Sequence, residues 1–201
     1  KIVKLPVSDF GMPKFEIKIR WILIAILLPC IIKGIYVLIF NGEYVSSNMN
    51  GNEIFNTLSA GVAFTGIAAG FVEEMVFRGV ILNALKKRWN MKVAVIVPSM
   101  LFGIVHVLGQ DFSIGSCLLV IIAGTMVGVM FSMIAIESGS VWNSGIVHAI
   151  WNIVIIGGGL AIGEKMDPYS VMTYVLDSKV FAITGGEFGI ESSVISLIGY
   201  I

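Results

Sequence analysis

The stretch IFNTLSAGVAFTGIAAGFVEEMVFRGVILNAL, residues 54–85, decides the fold. It is longer than the about 20 apolar residues a helix needs to cross a bilayer, so it must tilt, project or begin as an interfacial segment. It also carries Glu73, Glu74 and Arg78 in its interior. A charge at the centre of a membrane helix costs roughly 2.5–3.5 kcal/mol on insertion scales, so these side chains require partners. Glu74 and Arg78 are four residues apart on one helical face with the acid N-terminal, the spacing of an intrahelical ion pair. Glu73 is rotated by about 100° and points to a different neighbour. A carboxylate beside one already paired must be protonated, hydrogen-bonded to a histidine or wetted by a cavity, and those environments make general acids and bases.

The rest of the chain places this stretch in lipid. Of 201 residues, 57% are hydrophobic and 13% charged, and the mean hydropathy is +0.94, values far from those of a soluble domain. The fold class expected is all-α, a polytopic transmembrane helix bundle with a polar site in its interior. Spans are expected near 21–40, 54–85, 93–108, 113–136 and 141–162, and the apolar run Val194 to Ile201 reads as the start of another. Residues 1–201 form one membrane domain with no internal repeat. Loop 41–53, rich in Asn, Gly and Ser, reads as an external turn region. The chain begins at Lys1 rather than Met, with no signal-peptide pattern before the first span, and reads as a fragment of a longer protein.

Charge sets the expected orientation. Lys1, Lys4, Lys14, Lys18 and Arg20 precede the first span, and Lys86, Lys87, Arg88 and Lys92 separate the second from the third. The positive-inside rule puts both segments and the N-terminus in the cytoplasm. The formal net charge is zero, and no block of charge argues for nucleic acid, so membrane lipids are the partner composition implies. Cys30 and Cys117 fall in apolar runs and make neither a disulfide framework nor a metal-ligand spacing. Lys33, inside the first span, is expected to snorkel or to pair within the bundle. Trp21, Trp89 and Trp142 fit interfacial belts.

Two more polar clusters interrupt apolar helices. Phe102-Gly-Ile-Val-His106 lies in the third span and His148-Ala-Ile-Trp-Asn152 in the fifth, and these are the chain's two histidines. His148 and Asn152, four apart, project from one face and can reach one ligand. At 1.5 Å per residue, Glu74 is about 18 Å from Lys86, His106 about 21 Å from Lys92 and His148 about 17 Å from Glu137, which permits one common depth. Gly66 and Gly70, and Gly124 and Gly128, repeat the four-residue step of closely packed membrane helices. A single membrane histidine is as readily a structural hydrogen bond as a catalyst, and Arg78 as readily a structural ion pair. The coincidence of three clusters carries the functional reading.

Taken in order, Glu73-Glu74-Met-Val-Phe-Arg78, Phe102-Gly-Ile-Val-His106 and His148-Ala-Ile-Trp-Asn152 resemble the Glu-Glu-x-x-x-Arg, Phe-x-x-x-His and His-x-x-x-Asn motifs of the CAAX-protease and bacteriocin-processing (Abi) family of intramembrane endopeptidases. The resemblance covers about 60–155. A proline common before the third motif is replaced here by Trp142-Asn143-Ser144-Gly145. The resemblance implies a multi-pass protein of the bacterial plasma membrane that hydrolyses membrane-anchored peptide or protein substrates in a cavity opening to the cytoplasmic half of the bilayer. It implies catalytic roles for Glu73, Glu74, Arg78, His106, His148 and Asn152, and a link of bacterial members to bacteriocin self-immunity. Glu73 and His106 are expected to activate water, with His148 and Asn152 donating to the oxyanion. No cofactor is favoured; zinc held by Glu73, His106 and His148 is the alternative mechanism. The rival functions are a non-catalytic membrane immunity or scaffold protein and a proton-coupled transporter.

Overall fold

The computed structural model describes residues 6–201, so Lys1 and Lys4 of the basic cluster lie outside the described residues. Among the described residues seven helices and a small sheet follow one another: α1 (Ile19–Ile39), β1 (Gly42–Ser46), α2 (Gly51–Arg88), α3 (Met91–Val105), α4 (Ile114–Ser138), α5 (Val141–Ile156), β2 (Leu160–Gly163), β3 (Met172–Leu176), α6 (Phe181–Thr184) and α7 (Val194–Gly199). The expected helical membrane bundle is present. By length and composition α1, α2 and α4 can cross a membrane, and α3 and α5 are shorter apolar helices.

Local chemistry starts and stops these helices. Asn50, Asn90, Ser113 and Ser140 each accept a backbone N–H of the first turn of α2, α3, α4 and α5, which satisfies donors that have no partner in the helix. Asn50 and Glu53 cap each other reciprocally, so the segment read as a turn region contains the start of α2 and, at Gly42–Ser46, a strand. The fifth helix stops at Ile156, short of the expected residue 162, because Gly158 adopts φ +80°, and the residues beyond pair as β2. The sheet order is β1-β3-β2, with β1 antiparallel and β2 parallel to β3. The terminal apolar run is a six-residue helix, α7, folded onto α1, with Tyr200 buried beside Trp151 at 5.3 Å between rings.

The threading is up and down. Lys87 pairs with Asp9, Arg20 with Glu137, and the Val141 N–H donates to the Gly11 carbonyl. The N-terminal segment, the α2–α3 turn and the α4–α5 turn therefore share one end of the bundle, and the sheet forms at the other. Buried Ala25, Pro29, Ile32 and Tyr36 define one stripe of α1, while Leu23, Ile24, Leu27, Ile31 and Leu38 are exposed on its other faces, the distribution expected of a helix solvated by lipid. Lys33 is partly buried and pairs within the bundle. Its ammonium donates to the carbonyl of Val154 in the last turn of α5 and to that of Leu160 at the start of β2, and a cation is favoured at a helix C-terminus.

Small residues bring the backbones together where the sequence repeats them. A Cβ on Gly70 would lie 2.7 Å from the Ala149 nitrogen of α5, and one on Gly103 would lie 2.5 Å from the Ile121 carbonyl oxygen of α4. Gly124 faces Gly103 in the same α3–α4 contact. Gly103→Ala is expected to lower stability by roughly 1–3 kcal/mol through overpacking. Gly34→Ala, where no atom stands within 4 Å, should be neutral or slightly stabilising. Thermal unfolding of the two purified variants in detergent checks the contrast.

Candidate active site

The polar residues of the bundle are positioned mainly by α2. This helix is interrupted by two π-helical stretches, Gly61–Ala68 and Met75–Ile81, with Ala69–Glu74 regular between them. Wide turns of this kind are rare and recur at functional sites. Here they bracket Glu73 and Glu74.

Glu74 and Arg78 are fully buried and their side chains meet at 2.8 Å between Arg78 Nη1 and Glu74 Oε1, the contact their spacing predicts. Arg78 Nη2 donates to the Gly128 carbonyl on α4 at 2.9 Å. The guanidinium lies over the ring of Phe102 at 4.6 Å and over that of Phe131 at 5.4 Å, faces that attract a cation. Glu74 Oε1 also faces His148 Nδ1 at 3.2 Å. A carboxylate only accepts, so Nδ1 carries a proton.

Glu73 is turned away from that pair. Its side chain is 33% exposed, its Oε2 stands 3.8 Å from His148 Nε2, and that oxygen is enclosed without a hydrogen-bond partner among the described residues. It faces a cavity of about 160 Å³ that is also lined by His106, His148 and Asn152. The α3 histidine is held by its own motif: His106 Nδ1 lies 2.6 Å from the Phe102 carbonyl, and the two rings meet at 4.6 Å, tilted by 51°. Nδ1 is therefore the protonated nitrogen and Nε2 keeps its lone pair. The His148 ring is stacked on Phe131 at 4.6 Å and 18°. Asn152 uses one amide hydrogen on the Thr65 carbonyl, at 2.9 Å, in the first π-helical stretch, which leaves the second hydrogen of the amide.

All six residues singled out in the sequence thus gather here, four on the cavity and Glu74 and Arg78 behind it. Among the described residues no three His, Cys, Asp or Glu side chains form a cluster able to hold a metal ion. Glu73, His106 and His148 all line the cavity, and zinc held by these three is the alternative to a metal-free site.

Residues 54–154 match the protein-family model of type II CAAX prenyl endopeptidase Rce1-like proteins. The chain belongs to that family. No curated protein and no solved structure matches it. The matched segment contains Glu73, Glu74, Arg78, His106, His148 and Asn152, and family and apolar helices together make this CAAX-endopeptidase relative an integral membrane protein. Part of the cavity wall comes from outside that segment: Phe188, Glu191 and Tyr200 line it beside Trp151. These three carry no signal in the sequence, because they belong to no motif and stand in a Gly- and Ser-rich stretch after the sheet. The cavity adjoins the sheet end of the bundle, away from the basic segments; under the positive-inside orientation that is the side opposite to the opening the resemblance implies.

The buried pair has a measurable signature. Arg78→Met leaves Glu74 charged in an apolar interior and should cost roughly 3–5 kcal/mol, whereas Glu74→Gln with Arg78→Met should recover part of that loss. Chemical unfolding of the single and double variants in mixed micelles reads the difference.

Proposed function

We propose that this CAAX-endopeptidase relative is an intramembrane endopeptidase that hydrolyses membrane-associated peptides or proteins with a water activated by Glu73 and His106. The observation that carries the reading is the unpartnered Glu73 oxygen facing a cavity that His106, His148 and Asn152 also line. The neighbouring carboxylate meets Arg78 and His148 through Oε1 and does not line the cavity, so Glu73 is the carboxylate base that the cavity meets. In the reaction, Glu73 or the lone pair of His106 Nε2 takes a proton from water as the water oxygen bonds to the scissile carbonyl carbon. The carbonyl oxygen, now negative, receives the free amide hydrogen of Asn152 and a proton-bearing Nε2 of His148. Glu74 at Nδ1 stabilises the positive ring that this donation requires. The intermediate collapses as the C–N bond breaks, and the proton held by the base passes to the leaving nitrogen. Arg78 keeps Glu74 ionised and in place.

Purified protein in lipid, given a library of membrane-anchored peptides, is expected to cleave at least one. Glu73→Gln should lower kcat by at least about 100-fold, and Asn152→Ala by about 100- to 1,000-fold. The thermal unfolding temperature of Glu73→Gln should stay close to that of the wild type. Activity should survive a chelator; loss on chelation with return on adding zinc would replace this mechanism with a metal one. Cleavage by Glu73→Gln and His148→Ala at the wild-type rate would remove the assignment.

A further inference from the structure

The proposed catalytic cavity is one of two adjoining spaces. A larger basin of about 670 Å³ lies against the sheet, and both spaces are walled by Ile156, Phe188 and Glu191. Glu191 is the one ionisable side chain common to the two walls. It sits in the turn Ile190–Ser192, between α6 and α7, and no step of the proposed hydrolysis uses it.

The other acids of the basin are engaged. Glu164 accepts from the Thr184 hydroxyl at 2.6 Å, Asp167 from the Ser170 hydroxyl at 2.6 Å and the Tyr169 N–H at 3.0 Å, and Glu187 from the Ser113 N–H at 2.7 Å. Glu191 accepts one long bond, from Trp151 Nε1 at 3.3 Å, and forms no ion pair within 4.0 Å among the described residues. The nearby ammonium of Lys33 is committed to the carbonyls of Val154 and Leu160. Burial pushes the Glu191 carboxyl up to about 7, offset in part by the Trp151 bond and the positive groups of His148 and Lys33, as for a carboxylate short of a counter-charge. Aromatic side chains surround it: Trp151, Phe188 and Tyr200 line the same cavity. A carboxylate among aromatic rings is the chemistry that selects a cation over a neutral group of equal size.

The geometry points to Glu191 as a specificity-determining residue that seats a cationic side chain, lysine or arginine, next to the scissile bond of a chain entering from the basin. The peptidase reading supplies the scissile bond. The carboxylate subsite itself is testable by binding without cleavage.

The test uses the full chain in phosphatidylcholine nanodiscs, which carry no net lipid charge to attract basic peptides. Lipid-anchored fluorescent peptides differ at one scanned position by lysine or its neutral isostere norleucine. In a Glu73→Gln background, lysine at one position should bind about tenfold tighter, the scale of a hydrogen bond to a charged group. The ratio should fall to about one when Glu191→Gln is added. Glu191→Lys should reverse the selection toward glutamate, a gain that misfolding cannot produce. In the wild type the same position should show the same ratio in kcat/KM. Lysine binding preference without any cleavage would sink the peptidase reading and keep the subsite. A library with no position favouring lysine, or a preference that survives Glu191→Gln, would overturn the subsite whether or not peptides are cleaved.

Discussion

The Glu74–Arg78 pair is the constraint on which the rest of this bundle depends. Two charges with no exposure to solvent are tolerated only if each is met on several sides, and the surroundings of this pair come from three other helices. Arg78 is answered by the Gly128 carbonyl on α4 and by the rings of Phe102 on α3 and Phe131 on α4. Glu74 is answered by His148 on α5. Four helices are therefore registered on one ion pair. The direction of Glu73 follows, because the residue beside a fixed position on a helix has no freedom to choose its side.

The same hub explains why the aromatic motif residue is needed. Phe102 lies under the guanidinium, gives its carbonyl to His106 and touches the His148 ring edge-on at 5.7 Å. It thus links the ion pair to both histidines without bearing a charge. Close backbone approach at Gly70 and at Gly103 with Gly124 sets the distances at which these contacts are made. Polar specificity and small-residue packing are thus two parts of one arrangement.

Much of this was legible in the sequence. The four-residue spacing of Glu74 and Arg78 gives their pairing, the adjacency of Glu73 gives its separation from that pair, and the similar distances of three clusters from their basic or acidic flanks permit their meeting. The helix starts at Asn50, Asn90, Ser113 and Ser140 are ordinary capping residues. Other features have no local signature. The first π-helical stretch of α2 packs against α5 and the second also against α3, and the three-stranded sheet joins β1 to a strand more than a hundred residues away. Phe131 reads as one more apolar residue in an apolar helix. Glu191 and Tyr200 enter the wall only because α7 and the turn before it fold back onto α1 and α4, a tertiary event that periodicity cannot report.

The anchoring of Lys33 means that similarity in sequence and integrity of the folding unit have different boundaries here. The family match starts at residue 54, yet the Val154 carbonyl in the last turn of α5, the helix that carries His148 and Asn152, and the Leu160 carbonyl just beyond it both accept from an ammonium of α1. In hydrocarbon such carbonyls have no water to turn to. A segment cut to the matched residues would keep every motif and lose the electrostatic terminus of the helix that presents two of them. The first helix is therefore a structural subunit of the site, although nothing in its own sequence resembles one.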